Sequence, residues 1–151
     1  MSNLEHVARA SRVHQILLTH GEVDKIPEGR FTDIKSKLHG EHRLWLEEDI
    51  VQLLVNNYPP KVYEAYKSIK PLAYKADLAR YCILHTYGGW YIDLFVTLGD
   101  LKVLQHFSRD TEAILFREML VPPGGSLLSI LNTIFWFKDP GHEVLENLIN
   151  V

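Results

Sequence analysis

One stretch, residues 75–95 with the sequence KADLARYCILHTYGGWYIDLF, constrains the fold of this chain more than any other. From Leu72 to Tyr87 most positions are apolar, so the helix predicted there is buried nearly all round. Gly88-Gly89 stops it, because glycine accepts the backbone angles that close a helix. Trp90 to Leu98 then reads as a strand rich in aromatic and branched side chains. The tight glycine connection predicts that this helix packs directly on this strand.

The rest of the chain alternates in the same way. Val13 to Leu18 fits a buried strand, Gly21 to Gly29 a loop around Pro27, and Phe31, Ile34 and Leu38 recur at helical spacing. His42 to Leu46 is a second candidate strand. Glu47-Glu48-Asp49 opens a helix through Val55, its acids opposing the positive end of the helix dipole. That accounts for the acid cluster without a metal site. Tyr58-Pro59-Pro60 ends the helix, and Val62 to Ser68 forms a short helical turn. Leu101 to Phe107 reads as helix, Ala113 to Phe116 and Thr133 to Phe137 as strands, and Pro122 to Gly125 as a loop. Asp139-Pro140-Gly141 turns into a last helix with Val144, Leu145 and Leu148 on one face. Helices alternating with short strands predict an α/β layered fold. The length of 151 residues suits one domain, 1–151, with its own core. The chain ends inside the last helical pattern, as a fragment or a reduced version of a larger fold would.

Charge and cysteine content exclude several classes. The net charge is -3, and Lys and Arg do not cluster, so no nucleic-acid partner is expected. The single cysteine, Cys82, rules out an internal disulfide and reads as a buried, inert thiol. The first residues, MSNLEHVARASRVHQ, lack the apolar core of a signal peptide. The continuous apolar run from Leu127 to Phe137 is too short to span a bilayer. A cytoplasmic protein without a transmembrane segment is the expectation.

Three charged side chains stand out against the apolar background. Asp77 and Arg80 are three apart and share a helix face. They form either a local ion pair or a clamp, in which the guanidinium grips a phosphate or sugar oxygen and the carboxylate accepts a hydroxyl. In the strand, alternation places Tyr91, Asp93, Phe95 and Thr97 on one face. Asp93 needs a donor, a cation or an open cleft, because an unpaired buried carboxylate is costly. Capping a nearby loop is its local alternative.

The segment KADLARYCILHTYGGWYID resembles the K-A/S-D-L-x-R-Y-x-x-L-x-x-x-G-G-x-Y-x-D core of the DXD glycosyltransferases related to yeast-type initiating mannosyltransferases. It is more distantly similar to the catalytic domain of clostridial glucosylating toxins. Lys75, Ala76, Asp77, Leu78, Arg80, Tyr81, Leu84, Gly88, Gly89, Tyr91 and Asp93 all match. Val13-His14-Gln15-Ile16 resembles the first-strand I-H-Q-I/F segment, and NTIFWFKDPGH, residues 132–142, a downstream N-A-F-x-x-x-x-x-G-H-P segment, with Glu143 where the proline stands.

The resemblance implies a GT-A fold, a Rossmann-like α/β sandwich that binds a UDP- or GDP-linked sugar. It further implies transfer to a glycan, lipid-linked or protein acceptor with retention, as in polysaccharide biosynthesis. By the same resemblance, Asp77, Arg80 and Asp93 are the catalytic candidates. His14, Gln15, Ile16, Leu17, Asp77, Arg80, Tyr91 and Asp93 are the donor-binding candidates. Asp93 would hold Mn²⁺ or Mg²⁺, which neutralises a diphosphate leaving group. The chain departs from the pattern at two places. Phe95 stands where the second acid of the DXD belongs, and a phenyl ring cannot ligate a hard cation. Leu17 stands where some relatives carry a Trp. Asp100 is a candidate substitute ligand from a loop. Two readings follow: an active glycosyltransferase, or a catalytically impaired member kept as a nucleotide-sugar-binding or protein-interaction module.

Overall fold

Both faces of the central strands are buried, and this sets the layering. In β1 (Val13–Ile16) and β3 (Gly89–Ile92) every residue is buried. Val13, Trp90, Ile92, Ile134 and Trp136 pack with Ile34 and Leu38 on one side. Ile16, Tyr91, Phe135 and Phe137 pack with the helices on the other. A strand buried on both faces reads as a continuous apolar run rather than an alternation. The computed structural model describes residues 12–20, 34–38, 40–99, 110–120, 125 and 127–150.

With β2 (His42–Trp45), β4 (Ala113–Leu120) and β5 (Leu127–Phe137), these strands form one sheet in the order β2-β1-β3-β5-β4. β1 lies parallel to β2 and β3, while β5 runs antiparallel to β3 and β4. The helices are α1 (Glu47–Asn57), α2 (Pro60–Ser68), α3 (Leu72–Tyr87) and α4 (Glu143–Ile149). This is the expected α/β layered architecture.

The helix starts follow from local chemistry. The carboxylate of Asp49 accepts the Leu46 N–H at 3.0 Å, satisfying a donor at the start of α1. Pro60 opens α2 at its first turn, where its missing N–H is harmless. α3, expected to be buried nearly all round, buries Ala79, Arg80, Cys82, Ile83 and Leu84, while Tyr81 and His85 to Tyr87 are partly buried and Ala73 and Tyr74 in its first turn are exposed. Ala79, Ile83 and Leu84 share one core cluster with Tyr91, so α3 packs on β3 as expected. Burial pushes the Cys82 thiol up to about 12, as expected of an inert core cysteine.

Gly89 is required by a close approach. Its φ is +88°, and a Cβ there would lie 2.4 Å from the Arg12 carbonyl oxygen. That same oxygen accepts the Trp90 N–H at 2.7 Å, so chain and strand are drawn together where a side chain has no room.

Several boundaries differ from expectation. The strand expected over Trp90–Leu98 stops at Ile92, and Leu94-Phe95 forms a turn. The alternation that put Asp93, Phe95 and Thr97 on one face therefore does not apply. β4 and β5 make a longer hairpin than the two short strands expected. α4 buries Leu145 and Ile149, while Val144 and Leu148 are about half exposed. Helical structure covers residues 34–37 of the expected Phe31–Leu38 element. The loop over Gly21–Gly29, the helix over Leu101–Phe107 and most of the Pro122–Gly125 loop lie outside the described residues.

Candidate functional site

β1 and β3 are parallel, so their carboxyl ends, Ile16-Leu17 and Ile92-Asp93, emerge at one edge of the sheet. α3 runs back from this edge to Gly88 at the opposite end of β3 and delivers its first turns here. Ligands of open α/β sheets bind at such carboxyl edges.

The centre of the site is Arg80, which is 4% exposed. Its Nη2 pairs with Asp77 Oδ1 at 2.9 Å. Its Nη1 donates to the Asn132 carbonyl, and its Nε donates to the Ala76 carbonyl at 3.2 Å. The guanidinium carbon lies 4.7 Å from the centre of the Tyr91 ring. A buried charge held by a carboxylate, two carbonyls and an aromatic face has its geometry fixed. The Asn132 amide also donates to Asp77 Oδ1, at 3.3 Å. Asp77 itself is 31% exposed, and its Oδ2 makes no bond among the described residues. Its carboxylate is therefore oriented on one oxygen and open on the other. Tyr91, beneath the pair, has its phenol pKa raised by burial; nearby Arg80 lowers it, and Asp93 and Asp77 raise it. All three charges thus act on one ring.

Asp93 closes the strand. Its N–H donates to the Thr133 carbonyl at 2.8 Å, and its Oδ1 accepts the Phe95 N–H at 3.2 Å. Its carbonyl accepts the Val96 N–H at 3.0 Å. The local alternative read from the sequence, an Asp capping a loop, is what one carboxylate oxygen does here. Phe95 is turned outward at 77% exposure.

The first-strand candidates divide. Leu17 is half-buried at the carboxyl end of β1, its N–H bonded to the Trp45 carbonyl at 2.9 Å. Ile16 is a core residue. Gln15 is wholly buried, and neither of its amide atoms finds a partner among the described residues. His14 is buried toward the opposite end of β3, where its Nδ1 accepts the Trp45 indole N–H at 3.1 Å. That leaves Nε2–H to donate to the Gly88 carbonyl at 3.1 Å, so both ring nitrogens are engaged within the protein. Burial, chiefly, holds its pKa down at about 4, with nearby Arg12 and Arg43 adding to the effect and the Gly88 bond opposing it.

Lys75, part of the family-like core, pairs with Glu47 at 3.0 Å and lies over the Tyr66 ring. Glu47 also accepts the Tyr66 hydroxyl at 2.9 Å. The helix-start acid thus has a second task that its sequence context did not reveal: it ties α1, α2 and α3 together.

The described residues do not fit a firm divalent site. Asp93 has one oxygen committed to the turn, Asp77 is paired with Arg80, and Phe95 offers no oxygen. Among the described residues no cluster of three His, Cys, Asp or Glu side chains could hold a metal. Asp100 lies outside the described residues. A groove of about 520 Å³ along α1, lined by Arg43, Trp45, Glu48 and Asn56 among others, includes none of Asp77, Arg80, Tyr91 or Asp93. Sequence reasoning missed Asn132 and Thr133, whose neighbouring carbonyls hold Arg80 and Asp93. The only signal was Asn132 at the head of the NTIFWFKDPGH segment.

The glycosyltransferase sugar-binding region containing a DXD motif matches residues 2–114, and the chain belongs to that family. Its α/β fold is GT-A-like. An uncharacterized glycosyltransferase of Acanthamoeba polyphaga mimivirus is 38% identical over 71 residues, which make up 44% of this chain and 28% of that protein. The match therefore covers less than a third of that relative's length. No helix among the described residues is long and apolar enough to cross a membrane.

Proposed function

We propose that this chain binds a UDP- or GDP-linked sugar at the carboxyl edge of its sheet and serves glycosyl transfer to a glycan, lipid-linked or protein acceptor, with retention. The observation that supports it best is the Asp77 carboxylate, fixed by Arg80 and Asn132 on one oxygen and open on the other. A carboxylate so held accepts a sugar hydroxyl without first having to be ordered. The guanidinium beside it supplies fixed positive charge toward a diphosphate. Asp77 and Arg80 are the donor-holding residues in this reading, with Tyr91 packed beneath Arg80 and Asp93 shaping the adjoining turn.

One observation favours a second reading, a family member that binds donor without transferring it: Phe95 occupies the place of the second DXD acid, and Asp93 caps its turn. Calorimetric titration with UDP- and GDP-sugars, with and without Mn²⁺, tests the shared claim of donor binding. Transfer or hydrolysis of the same donors separates the two readings. Absence of binding across the panel overturns both.

A further inference from the structure

We infer that the cavity next to the proposed donor site holds the apolar tail of a lipid-linked acceptor: an alkyl or isoprenoid chain lies between β4, β5 and α4, and its polar head emerges beside Asp77. This rests on the proposed donor reading and names the acceptor class that the same site serves.

The cavity measures about 240 Å³. Its floor is the buried trio Phe135, Phe137 and Leu145, and its rim is Leu115, Ile130, Val144 and Leu148. The four rim residues make up most of the seven large apolar side chains that stand exposed among the described residues. Single exposed apolar residues are ordinary, but a cluster of them around a hollow marks a binding surface. The volume also exceeds the roughly 150 Å³ in which a hydrocarbon-lined cavity takes up benzene.

The two polar members of the lining, Asn132 and Tyr81, both lead to the donor pair. The Asn132 amide donates to Asp77 Oδ1 at 3.3 Å. Tyr81 follows Asp77 by one turn on the same face of α3, a spacing that sets Cβ atoms roughly 5–6 Å apart. Its ring packs against Phe135, with 6.2 Å between centres. Burial raises the Tyr81 phenol pKa, Asp77 adds to the rise and Arg80 opposes it, so the phenol lies within the field of the ion pair. The cavity therefore adjoins the donor pair through the only polar groups it has.

This division of chemistry selects the occupant. No charged side chain lines the cavity. A glycan there would press its hydroxyls against rings and aliphatic carbons, and a peptide its backbone N–H and C=O groups, with only Asn132 and the Tyr81 hydroxyl to answer them. A hydrocarbon chain needs no such partner, and gains about fourfold in affinity for each methylene it buries.

The test is calorimetry of the full chain with octyl β-D-glucopyranoside, below its micelle concentration, against methyl β-D-glucopyranoside. Each is titrated alone and with UDP-glucose, UDP-N-acetylglucosamine or GDP-mannose present. The octyl compound should bind at least about tenfold more tightly than the methyl one. Saturation with the nucleotide sugar that the chain binds should tighten it by about fivefold or more, because the donor sugar walls the head-group site. Leu148→Gln, at an exposed helix position, should weaken the octyl compound by about fivefold or more while nucleotide-sugar affinity and thermal midpoint hold. Ile130→Gln repeats the measurement from β5. No preference for the octyl tail overturns the inference and leaves the donor site intact. So does a dimer in sedimentation that Leu148→Gln dissociates, which assigns the cavity to a second copy. Octyl binding that ignores a bound nucleotide sugar overturns the acceptor role. A chain that binds no nucleotide sugar overturns the donor reading and the acceptor role together.

Discussion

The Asn132 side-chain amide donates to Asp77 Oδ1 at 3.3 Å across 55 residues of sequence, while the Asn132 carbonyl takes the Arg80 guanidinium. One residue of β5 thus orients both members of an ion pair on α3. Asn132→Ala removes the first contact and keeps the second. It should cost about 1 kcal/mol of stability or less, read as a small drop in urea midpoint. Nucleotide-sugar affinity should fall by more than free-nucleotide affinity in the same calorimetric titration.

Arg80→Ala strips a buried donor set from the Asn132 and Ala76 carbonyls and unpairs Asp77, which still reaches water. A loss of about 1–3 kcal/mol is expected. Arg80→Lys keeps the charge but not the planar fork, and should recover part of the stability and little of the sugar binding. Equal loss of sugar and free-nucleotide binding in Arg80→Ala would mark Arg80 as purely structural.

His14 makes stability depend on pH. Its folded pKa of about 4 lies below the ordinary 6.5, so the unfolded chain binds the proton more readily. The neutral, buried ring contributes its full stability above pH 6.5 and loses it progressively as pH falls toward 4. The size is about 3 kcal/mol across that window. Urea unfolding at several pH values should show a shallower pH slope for His14→Gln than for wild type, which isolates this histidine from the carboxylates titrating in the same range.

Gly89→Ala meets both the Arg12 carbonyl and a positive φ. A loss of about 2–4 kcal/mol is expected, visible as a large fall in thermal midpoint or as loss of soluble protein. Gly141→Ala, also at positive φ but with open space around it, should cost less.

Phe95→Asp should leave stability within about 0.5 kcal/mol of wild type, because the ring is exposed in a turn held by the Asp93 carboxylate and carbonyl. It also places a second carboxylate beside Asp93. Mn²⁺ binding followed by electron paramagnetic resonance should be weak in the wild-type chain and measurably tighter in the variant.

The α3–β3 pair was legible because its signals agree: an apolar run, a glycine stop and an apolar strand all point to one buried unit. The ion pair of Asp77 and Arg80 was legible from helical spacing alone. The end of β3 was not. Residues 94–98 carry strand-forming side chains, but the ladder ends where Asp93 offers its own oxygen to the backbone, a competition that composition does not display. The bonding partners of His14 and the dual role of Asn132 were hidden for another reason. Their partners, Trp45, Gly88, Asp77 and Arg80, lie 31 to 74 residues away, and only the sheet order brings them together.

The consecutive carbonyls of Asn132 and Thr133 make β5 a mechanical link as well as a scaffold. Because one peptide unit joins the acceptor of Arg80 to the acceptor of the Asp93 amide, the two bonds open together when β5 shifts. Loosening that grip, as Arg80→Ala does, is therefore expected to lower hydrogen-exchange protection at the Asp93 amide, with no side chain of the strand itself changed.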